Sequence, residues 1–300
     1  MCVGSGFSIG DRLMRQFIII GLNGMTLAAL YFLVASGLTL IFGMMRIVNL
    51  AHGSFYLLGG YLGFSVLRAT DNWGVGLLGA ALAVGCVGLL MYEILLRRIE
   101  KEDMRVALVT IGVSLIAADQ MLLAYGGVAY SLSTPDWLRG ATDLRIAGVM
   151  YPTGRLFTLL LAVVVGIALW LFITRTRFGM IIRAGVDDRD MVSATGINVR
   201  LVFAMVFFLG SALAGLGGAV GGTTFSLAPG TDVEYLLYSL IVVIVGGMGS
   251  ITGVAVGAIL VGLVSQFALG YVPAWASIMT FGLMIAVLAV RPQGILGRAT

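Results

Sequence analysis

Four polar or small residues follow one another closely in a strongly apolar part of the sequence: Asn49, His52, Gly53 and Ser54. They belong to the run RIVNLAHGSFYLLGGYLG at 46–63, which lies between two long apolar blocks. Polar side chains in lipid are costly, so they usually face a protein interior or a water-filled path. A neighbouring glycine favours a broken or closely packed helix. The pattern predicts that these residues line a substrate path, with a hydrogen-bonded strut as the alternative role for His52.

The rest of the chain is poor in groups that catalyse reactions or bind metal ions. Its single histidine excludes a histidine-rich zinc site. Its single lysine, Lys101, is followed by Glu102, so no nucleotide-binding P-loop can form. Ser54 lies two residues from His52, a spacing that does not bring the two side chains together on a helix. We therefore predict that the chain is not an enzyme, has no catalytic or metal-binding residues and carries no cofactor.

Acidic residues inside the apolar segments are sparse, with Asp119 and Glu93 as the candidates. A stand-alone proton-coupled carrier needs buried ionisable groups, and Asp119 is the residue that such a carrier would use. The alternative is that Asp119 marks the interior of a helix bundle or an interface between subunits.

Composition places the chain among membrane proteins built from α-helices. Hydrophobic residues make up 60% of the 300 residues and charged residues 11%, whereas a soluble domain is about half apolar and about a quarter charged. The apolar runs are continuous, unlike the alternating strands of a membrane β-barrel. We predict an all-α polytopic membrane protein with one membrane domain, residues 1–300. Its apolar segments are 17–43, 46–68, 74–96, 106–125, 155–174, 201–222, 234–250, 251–270 and 274–290.

The distribution of basic residues predicts the orientation of the chain. Segments 97–105 and 175–200 hold nine of the 18 basic residues, so both should face the cytoplasm. Counting spans from there predicts an outer N-terminus, an inner C-terminus and eight to nine spans. The number is open because 234–250 is short and is broken by GGMGS, so it either crosses or re-enters the membrane. The net charge of +4 follows from these loops and does not predict nucleic-acid binding.

The charged segment 175–200 has a pattern that differs from an ordinary loop. Residues 183–197, RAGVDDRDMVSATGI, place small and apolar residues between charges, which favours a short amphipathic helix ended by Gly196. Such a helix would dock on a cytoplasmic partner. A solvated loop is the alternative.

Several runs resemble one family. The run at 46–63 resembles the signature of the membrane subunits of branched-chain amino acid ABC importers, and it is most similar to the shorter of their two permease subunits. NGMTLAALYFLVASGLTLIFG at 23–43 is similar to the first span of that family. RAGVDDRDMVSATGIN at 183–198 is similar to its cytoplasmic coupling segment, and GGMGSITGVAVGAILVG at 246–262 to its glycine-rich late segment.

The resemblance implies a type II-like ABC importer permease in the bacterial inner membrane. It implies a second homologous permease subunit, two cytoplasmic ATPase subunits that use ATP, and a periplasmic substrate-binding protein. The substrate would be a branched-chain or related amino acid, although related permeases import urea, short amides or aromatic acids. The resemblance also assigns ATPase coupling to the segment that contains Ala184, Asp187, Asp188, Met191, Ala194 and Gly196.

Overall fold

The computed structural model describes residues 9–100, 102–144, 148–187, 191–192 and 196–297. Ten α-helices account for most of the secondary structure in this part of the chain. Several begin directly after Asn, Ser, Pro or Gly, residues that favour helix starts. The helices are α1 Ile9–Met45, α2 His52–Thr70, α3 Trp73–Ile94, α4 Asp103–Tyr125, α5 Thr153–Arg175, α6 Arg177–Asp187, α7 Val199–Thr224, α8 Thr231–Gly246, α9 Ile251–Tyr271 and α10 Ala276–Val290.

The length and composition of the helices agree with a polytopic membrane protein. Among the described residues, seven helices are long and apolar enough to cross a membrane: α1, α3, α4, α5, α7, α9 and α10. Helix α8 has only 16 residues, about 24 Å of helix against a hydrocarbon core of about 30 Å. Helix α2 has 19 residues but carries polar side chains and four glycines.

Three features differ from the predicted elements. Helix α1 begins at Ile9, before the predicted start at 17. The predicted segment 46–68 is helical only from His52 onward, because residues 46–51 form no helix. Two short antiparallel strands, β1 Ala141–Asp143 and β2 Met150–Pro152, lie between α4 and α5, and the predicted all-α fold did not include them.

Helix α2 lies at the centre of the bundle, where α3, α4, α7 and α8 pack around it. Its Tyr56 and Tyr61 side chains are among the largest that are fully buried. The rings of Tyr56 and Tyr235 on α8 stack with centroids 4.0 Å apart. Because this helix is enclosed on most of its surface, its polar residues meet other helices rather than lipid.

Glycine allows α2 and α7 to approach each other closely. A Cβ atom at Gly59 would lie 2.7 Å from the carbonyl carbon of Gly215, and one at Gly218 would lie 2.7 Å from that of Tyr56. Backbones come this close in membrane bundles only where small residues line both faces. Gly210, Ala214, Gly218 and Gly222 are spaced four apart in α7 and are buried, so they pack it against its neighbours.

The outer helices α4, α5 and α10 expose most of their apolar side chains. On α4, Leu115, Ile116 and Leu123 are 64%, 64% and 81% exposed. Apolar side chains of this kind suit contact with lipid or with another membrane subunit.

Candidate functional site

The helical structure is interrupted between α1 and α2, at residues 46–51, in the run where the sequence predicts a site. We name this interruption the helix break. Arg46 has a φ of 55°, in the left-handed region, and it turns the chain directly after α1 ends at Met45. Asn49 then organises the start of α2. Its Oδ1 accepts a hydrogen bond from the Ala51 N–H at 3.1 Å, and its carbonyl accepts one from the His52 N–H at 3.2 Å. The short polar side chain of Asn thus begins the helix in the way that Asx turns do.

Helix α2 begins deep inside the bundle. The Nε2 atom of His52 lies 2.9 Å from the carbonyl oxygen of Val34. Val34 lies 11 residues before the end of α1 at Met45, which is about 16 Å along the helix axis. Residues 46–51 return along α1 and can cover about 20 Å when extended. A helix N-terminus therefore lies within the bundle, the arrangement used for ligand sites by discontinuous helices in transporters.

The four predicted path residues lie together at this N-terminus, and three of them contact different helices. His52 contacts α1 through Val34. Gly53 packs on α8, since a Cβ atom there would lie 2.8 Å from the Leu236 Cβ and closer still to the Asp232 carbonyl oxygen. The Ser54 hydroxyl lies 2.9 Å from that of Ser114 on α4.

These residues are closed off from the surface. Asn49 and His52 are 0% exposed and Ser54 is 1% exposed. The Nδ2 atom of Asn49 and the Nδ1 atom of His52 are buried without a hydrogen-bond partner among the described residues. A buried polar atom without a partner is costly. Their role in a substrate path stays a prediction.

A second feature is the contact between α2 and α4, which we name the α2–α4 seam. Two hydrogen bonds join the two helices and a third joins Leu50, just before α2, to α4; the partners are 60 residues apart in the sequence in every case. The constant separation shows that the helices run parallel and in register. The bonds join Leu50 N to Thr110 Oγ1 (3.3 Å), Ser54 Oγ to Ser114 Oγ (2.9 Å) and Ser65 Oγ to Tyr125 OH (2.8 Å).

Two cavities lie along the α2–α4 seam. The larger, with a volume of about 350 Å³, opens at the end of the seam near Arg68. Its lining consists of Phe64, Ser65, Arg68, Ala69, Ala124, Tyr125 and Tyr130. The smaller cavity, of about 20 Å³, lies between α2, α4 and the start of α8. It has room for about one water molecule.

Asp232 borders the smaller cavity and was not predicted from the sequence, because it lies between the predicted apolar segments 201–222 and 234–250. It lies in the first turn of α8 and is only 4% exposed. Its carboxyl group makes no hydrogen bond or ion pair within the described part of the chain. Gly230 and Thr231 before an apolar run are a helix-start signal, which places Asp232 in the first turn of a helix but does not report its burial.

The two acids that the sequence singled out are not buried. Asp119 is exposed on the outer surface of α4. Glu93 lies at the end of α3, where its carboxylate pairs with Arg200 at 2.7 Å and with Arg97 at 3.2 Å. Among the described residues, no group of three or more His, Cys, Asp or Glu side chains could hold a metal ion.

The predicted coupling segment contains helix α6, which begins at Arg177, earlier than the predicted helix at 183–197. Its inner face packs on the bundle, where Ile182 is buried and a Cβ atom at Gly185 would lie 2.7 Å from the Met44 Cε. Ala184 lies on the exposed face. Asp187 ends α6.

The remaining coupling residues lie beyond α6. Met191 is 65% exposed, and Gly196 has a φ of 80° in the turn before α7. Asp188 and Ala194 lie outside the described residues.

Comparison with protein families shows to which family the chain belongs. Residues 20–288 match the family described as "Branched-chain amino acid transport system / permease component". The chain belongs to this family. The match covers every helix from α2 to α9 and most of α1 and α10.

Individual members of the family match over nearly the whole chain. The high-affinity branched-chain amino acid transport system permease protein LivH of Salmonella typhimurium is 29% identical over 92% of this chain and 94% of its own length. BraD of Pseudomonas aeruginosa, a protein of the same description, is 27% identical over the same shares. LivM of Escherichia coli is 26% identical over 90% of this chain and 68% of its own length. No solved structure matches this chain.

Proposed function

We propose that this chain is the membrane-spanning permease subunit of an ATP-driven ABC importer that takes up branched-chain or related amino acids. The observation that carries the proposal is the family match over residues 20–288. LivH and BraD, named as branched-chain amino acid permeases, match it over nearly their full length. In this role the chain performs no reaction of its own, and ATP is used by separate subunits.

The packing of the last helices supports chain ends on opposite sides of the membrane, and the basic segments 97–105 and 175–200 favour an inner C-terminus. Near the end of α1, Gly43 approaches Gly249, while nearer its start Gly24 approaches Leu263, so α1 and α9 are antiparallel. Helix α8 is antiparallel to α9 in turn, because Gly246 meets Gly253 and Gly257 meets Val242. Alternation of this kind fits nine crossings, an outer N-terminus and an inner C-terminus.

Substrate would move along the α2–α4 seam. The larger cavity would be its outer mouth, with Arg68 available to an amino acid carboxylate. The break at Asn49 and His52 would be the inner end, where the N-terminal N–H groups of α2 favour an anionic group. Because the smaller cavity holds only about one water molecule, α4 must move away from α2 for an amino acid to pass.

Partners supply what the chain lacks. The identity of 26% with LivM supports a second, homologous permease subunit, and the exposed apolar faces of α4, α5 and α10 offer membrane surface for it. Two cytoplasmic ATPases would dock on α6, and a periplasmic binding protein would deliver substrate at the outer mouth. The location would be a bacterial inner membrane.

The alternative functions are weaker. A stand-alone proton-coupled carrier would rely on Asp119, but its exposed position gives it no enclosed site in the bundle. Urea, short amides or aromatic acids remain alternative substrates of the same kind of importer.

Affinity purification from native membranes in mild detergent tests the class of transporter. We expect the chain to recover a second permease and a pair of ATPases, and the complex to import L-leucine into liposomes only with ATP and binding protein. Recovery of the chain alone, with uptake driven by a proton gradient, would overturn the proposal.

The path role of the helix break is tested by Asn49→Ala and His52→Ala in that importer. We expect both variants to lower L-leucine uptake per assembled complex, because both residues lie at the inner end of the seam. Unchanged uptake in both would make the break a purely structural element.

A further inference from the structure

We propose that Asp232 and Tyr61 form an internal site for the ammonium group of the substrate. This inference rests on the proposed importer function and adds the group that the path recognises. Both residues border the smaller cavity, between α2, α4 and the start of α8. They approach it from two different helices, Tyr61 from α2 and Asp232 from α8.

Both residues are buried, and neither polar group has a hydrogen-bond partner among the described residues. Asp232 is 4% exposed, and its carboxyl makes no hydrogen bond or ion pair among the described residues. Tyr61 is 1% exposed, and its hydroxyl is a buried oxygen without a hydrogen-bond partner there. Both residues line the same cavity of about 20 Å³. Two polar groups without a protein partner at one cavity are available to a polar ligand.

The charge of the site favours a cation. Asp232 lies in the first turn of α8, where the partial positive charge of the helix N-terminus stabilises a carboxylate. A carboxylate inside a membrane bundle still needs a counter-charge, since it is otherwise costly. The protein supplies no Lys, Arg or His to it among the described residues. An ammonium group, with three N–H donors, would satisfy the carboxylate and the Tyr61 oxygen together.

The rest of the lining suits the other end of an aliphatic amino acid. The remaining side chains at the cavity are apolar or small: Leu57, Ala118, Met121, Leu122, Pro229 and Gly230. One polar end and apolar walls form the pattern by which pockets orient a small ligand. Three of these residues belong to α4, so movement of α4 would enlarge the cavity on its apolar side.

The helix break holds the acid in place. Gly53, in the first turn of α2, packs directly against the Asp232 carbonyl oxygen, with no room for a Cβ atom. The start of α2 therefore fixes the start of α8. This links the family-like run at 46–63 to a site on a different helix.

The site discriminates among the substrates left open above. An anionic aromatic acid without an amine would be repelled by Asp232. Urea and short amides can donate N–H hydrogen bonds to the carboxylate, but they bring no positive charge to balance it. The ammonium group of an amino acid provides both the N–H donors and the counter-charge.

Direct binding of radiolabelled L-leucine to the purified importer complex, without binding protein, tests the inference. Leucinamide keeps the ammonium group and lacks the carboxylate, whereas 4-methylpentanoate keeps the carboxylate and lacks the amine. We expect leucinamide to compete with L-leucine at least about tenfold better than 4-methylpentanoate does. In Asp232→Asn, we expect L-leucine binding to weaken at least about tenfold and this preference to disappear. Tyr61→Phe should weaken L-leucine binding severalfold. Its preference for leucinamide over 4-methylpentanoate should be smaller than that of the wild type but should not disappear.

Glu234→Gln is the matched control. It removes the same charge from the same turn of α8, but Glu234 is exposed and does not line the cavity. We expect it to bind L-leucine like the wild type. If Asp232→Asn fails to assemble, Tyr61→Phe tests the site instead: an unchanged preference for leucinamide over 4-methylpentanoate in this variant would overturn it.

The outcomes separate this inference from the proposed function. Equal binding by Asp232→Asn and Glu234→Gln, or no preference for leucinamide in the wild type, would overturn the ammonium site. ATP-driven L-leucine uptake by the same wild-type complex would still stand in that case. Absence of that uptake would overturn the importer proposal itself.

Discussion

The close packing of α2 on α7 depends on glycine at position 59, which has no side chain. Alanine at this position would place its Cβ 2.7 Å from the carbonyl carbon of Gly215 and force α2 away from α7. We expect Gly59→Ala to destabilise the protein by about 1–3 kcal/mol, the usual cost of overpacking. The measurement is thermal unfolding of the purified protein in detergent, followed by tryptophan fluorescence.

Gly112→Ala is the control for Gly59→Ala. Gly112 is also in the middle of a helix, α4, but a Cβ atom there would have no neighbour within 4 Å. We expect its melting temperature to equal or slightly exceed that of the wild type, since alanine favours helix. Equal melting temperatures for the two variants would contradict close packing of α2 on α7.

At the residue scale, the sequence predicts that a polar side chain is buried only where long apolar segments lie on both sides of it. Asn49 and His52 stand out because long apolar blocks surround them, and the structure finds them fully buried. Asp232 was hidden because it follows a loop-like run, TTFSLAPG. How deeply that run enters the bundle depends on the packing of Gly53 and Leu227, which no local pattern reports.

At the scale of elements, the α2–α4 seam is suited to opening. Within the described residues, the seam is joined by three hydrogen bonds and by the stacked rings of Tyr61 and Tyr125, with centroids 4.3 Å apart. The backbones of α2 and α7, in contrast, interdigitate. Each such hydrogen bond contributes about 1 kcal/mol net. The seam can therefore separate at a cost that binding of partners or substrate is able to offset.

A reversible cross-link tests whether the seam opens during transport. In an importer in which Cys2 and Cys86 of this chain are replaced by Ser, Ser54→Cys and Ser114→Cys place two thiols where hydroxyls lie 2.9 Å apart. We expect oxidation to abolish most ATP-driven uptake and a reductant to restore it. The cross-link is verified by mass spectrometry of the peptides.

A second pair controls for oxidation itself. Ser265→Cys and Thr280→Cys join α9 to α10, where the hydroxyls are 3.0 Å apart. We expect this cross-link to leave uptake intact, because neither helix borders the seam cavities. If the seam cross-link also leaves uptake intact, α4 does not move away from α2 during transport.

The elements themselves are largely predictable, since apolar runs of about 20 residues are strong signals. The structure has a helix within each of the nine predicted apolar segments. The start of α2 was predicted wrongly, at 46 instead of His52. The reason is that Ile47, Val48 and Leu50 have the apolar character of a continuing helix. The return of 46–51 along α1 comes from tertiary contacts such as the His52–Val34 hydrogen bond, which have no local sequence signal.

At the scale of the whole molecule, the cavities and the coupling segment contact different helices: the cavities lie along α2 and α4, whereas α6 packs on α1, α5 and α7. Helix α6 packs on Met44 at the end of α1, directly before the break that leads into α2. A displacement of α6 would therefore act first on the end of α1, next to the segment that leads into α2. This contact adds a physical argument to the proposed coupling role of 183–198, which stays a prediction.

Ala184→Arg tests this coupling. Ala184 is exposed on α6, so a larger charged side chain there should disturb docking of an ATPase without disturbing the bundle. In the reconstituted importer, we expect uptake and substrate-stimulated ATP hydrolysis to fall at least about fivefold, while the melting temperature of the permease stays unchanged.

Thr142→Arg adds the same side chain at an exposed position of β1 and serves as the control. Because β1 lies between α4 and α5, on the predicted outer side, this variant should keep normal ATP hydrolysis. If Ala184→Arg behaves like Thr142→Arg, the exposed face of α6 is not where the ATPase binds.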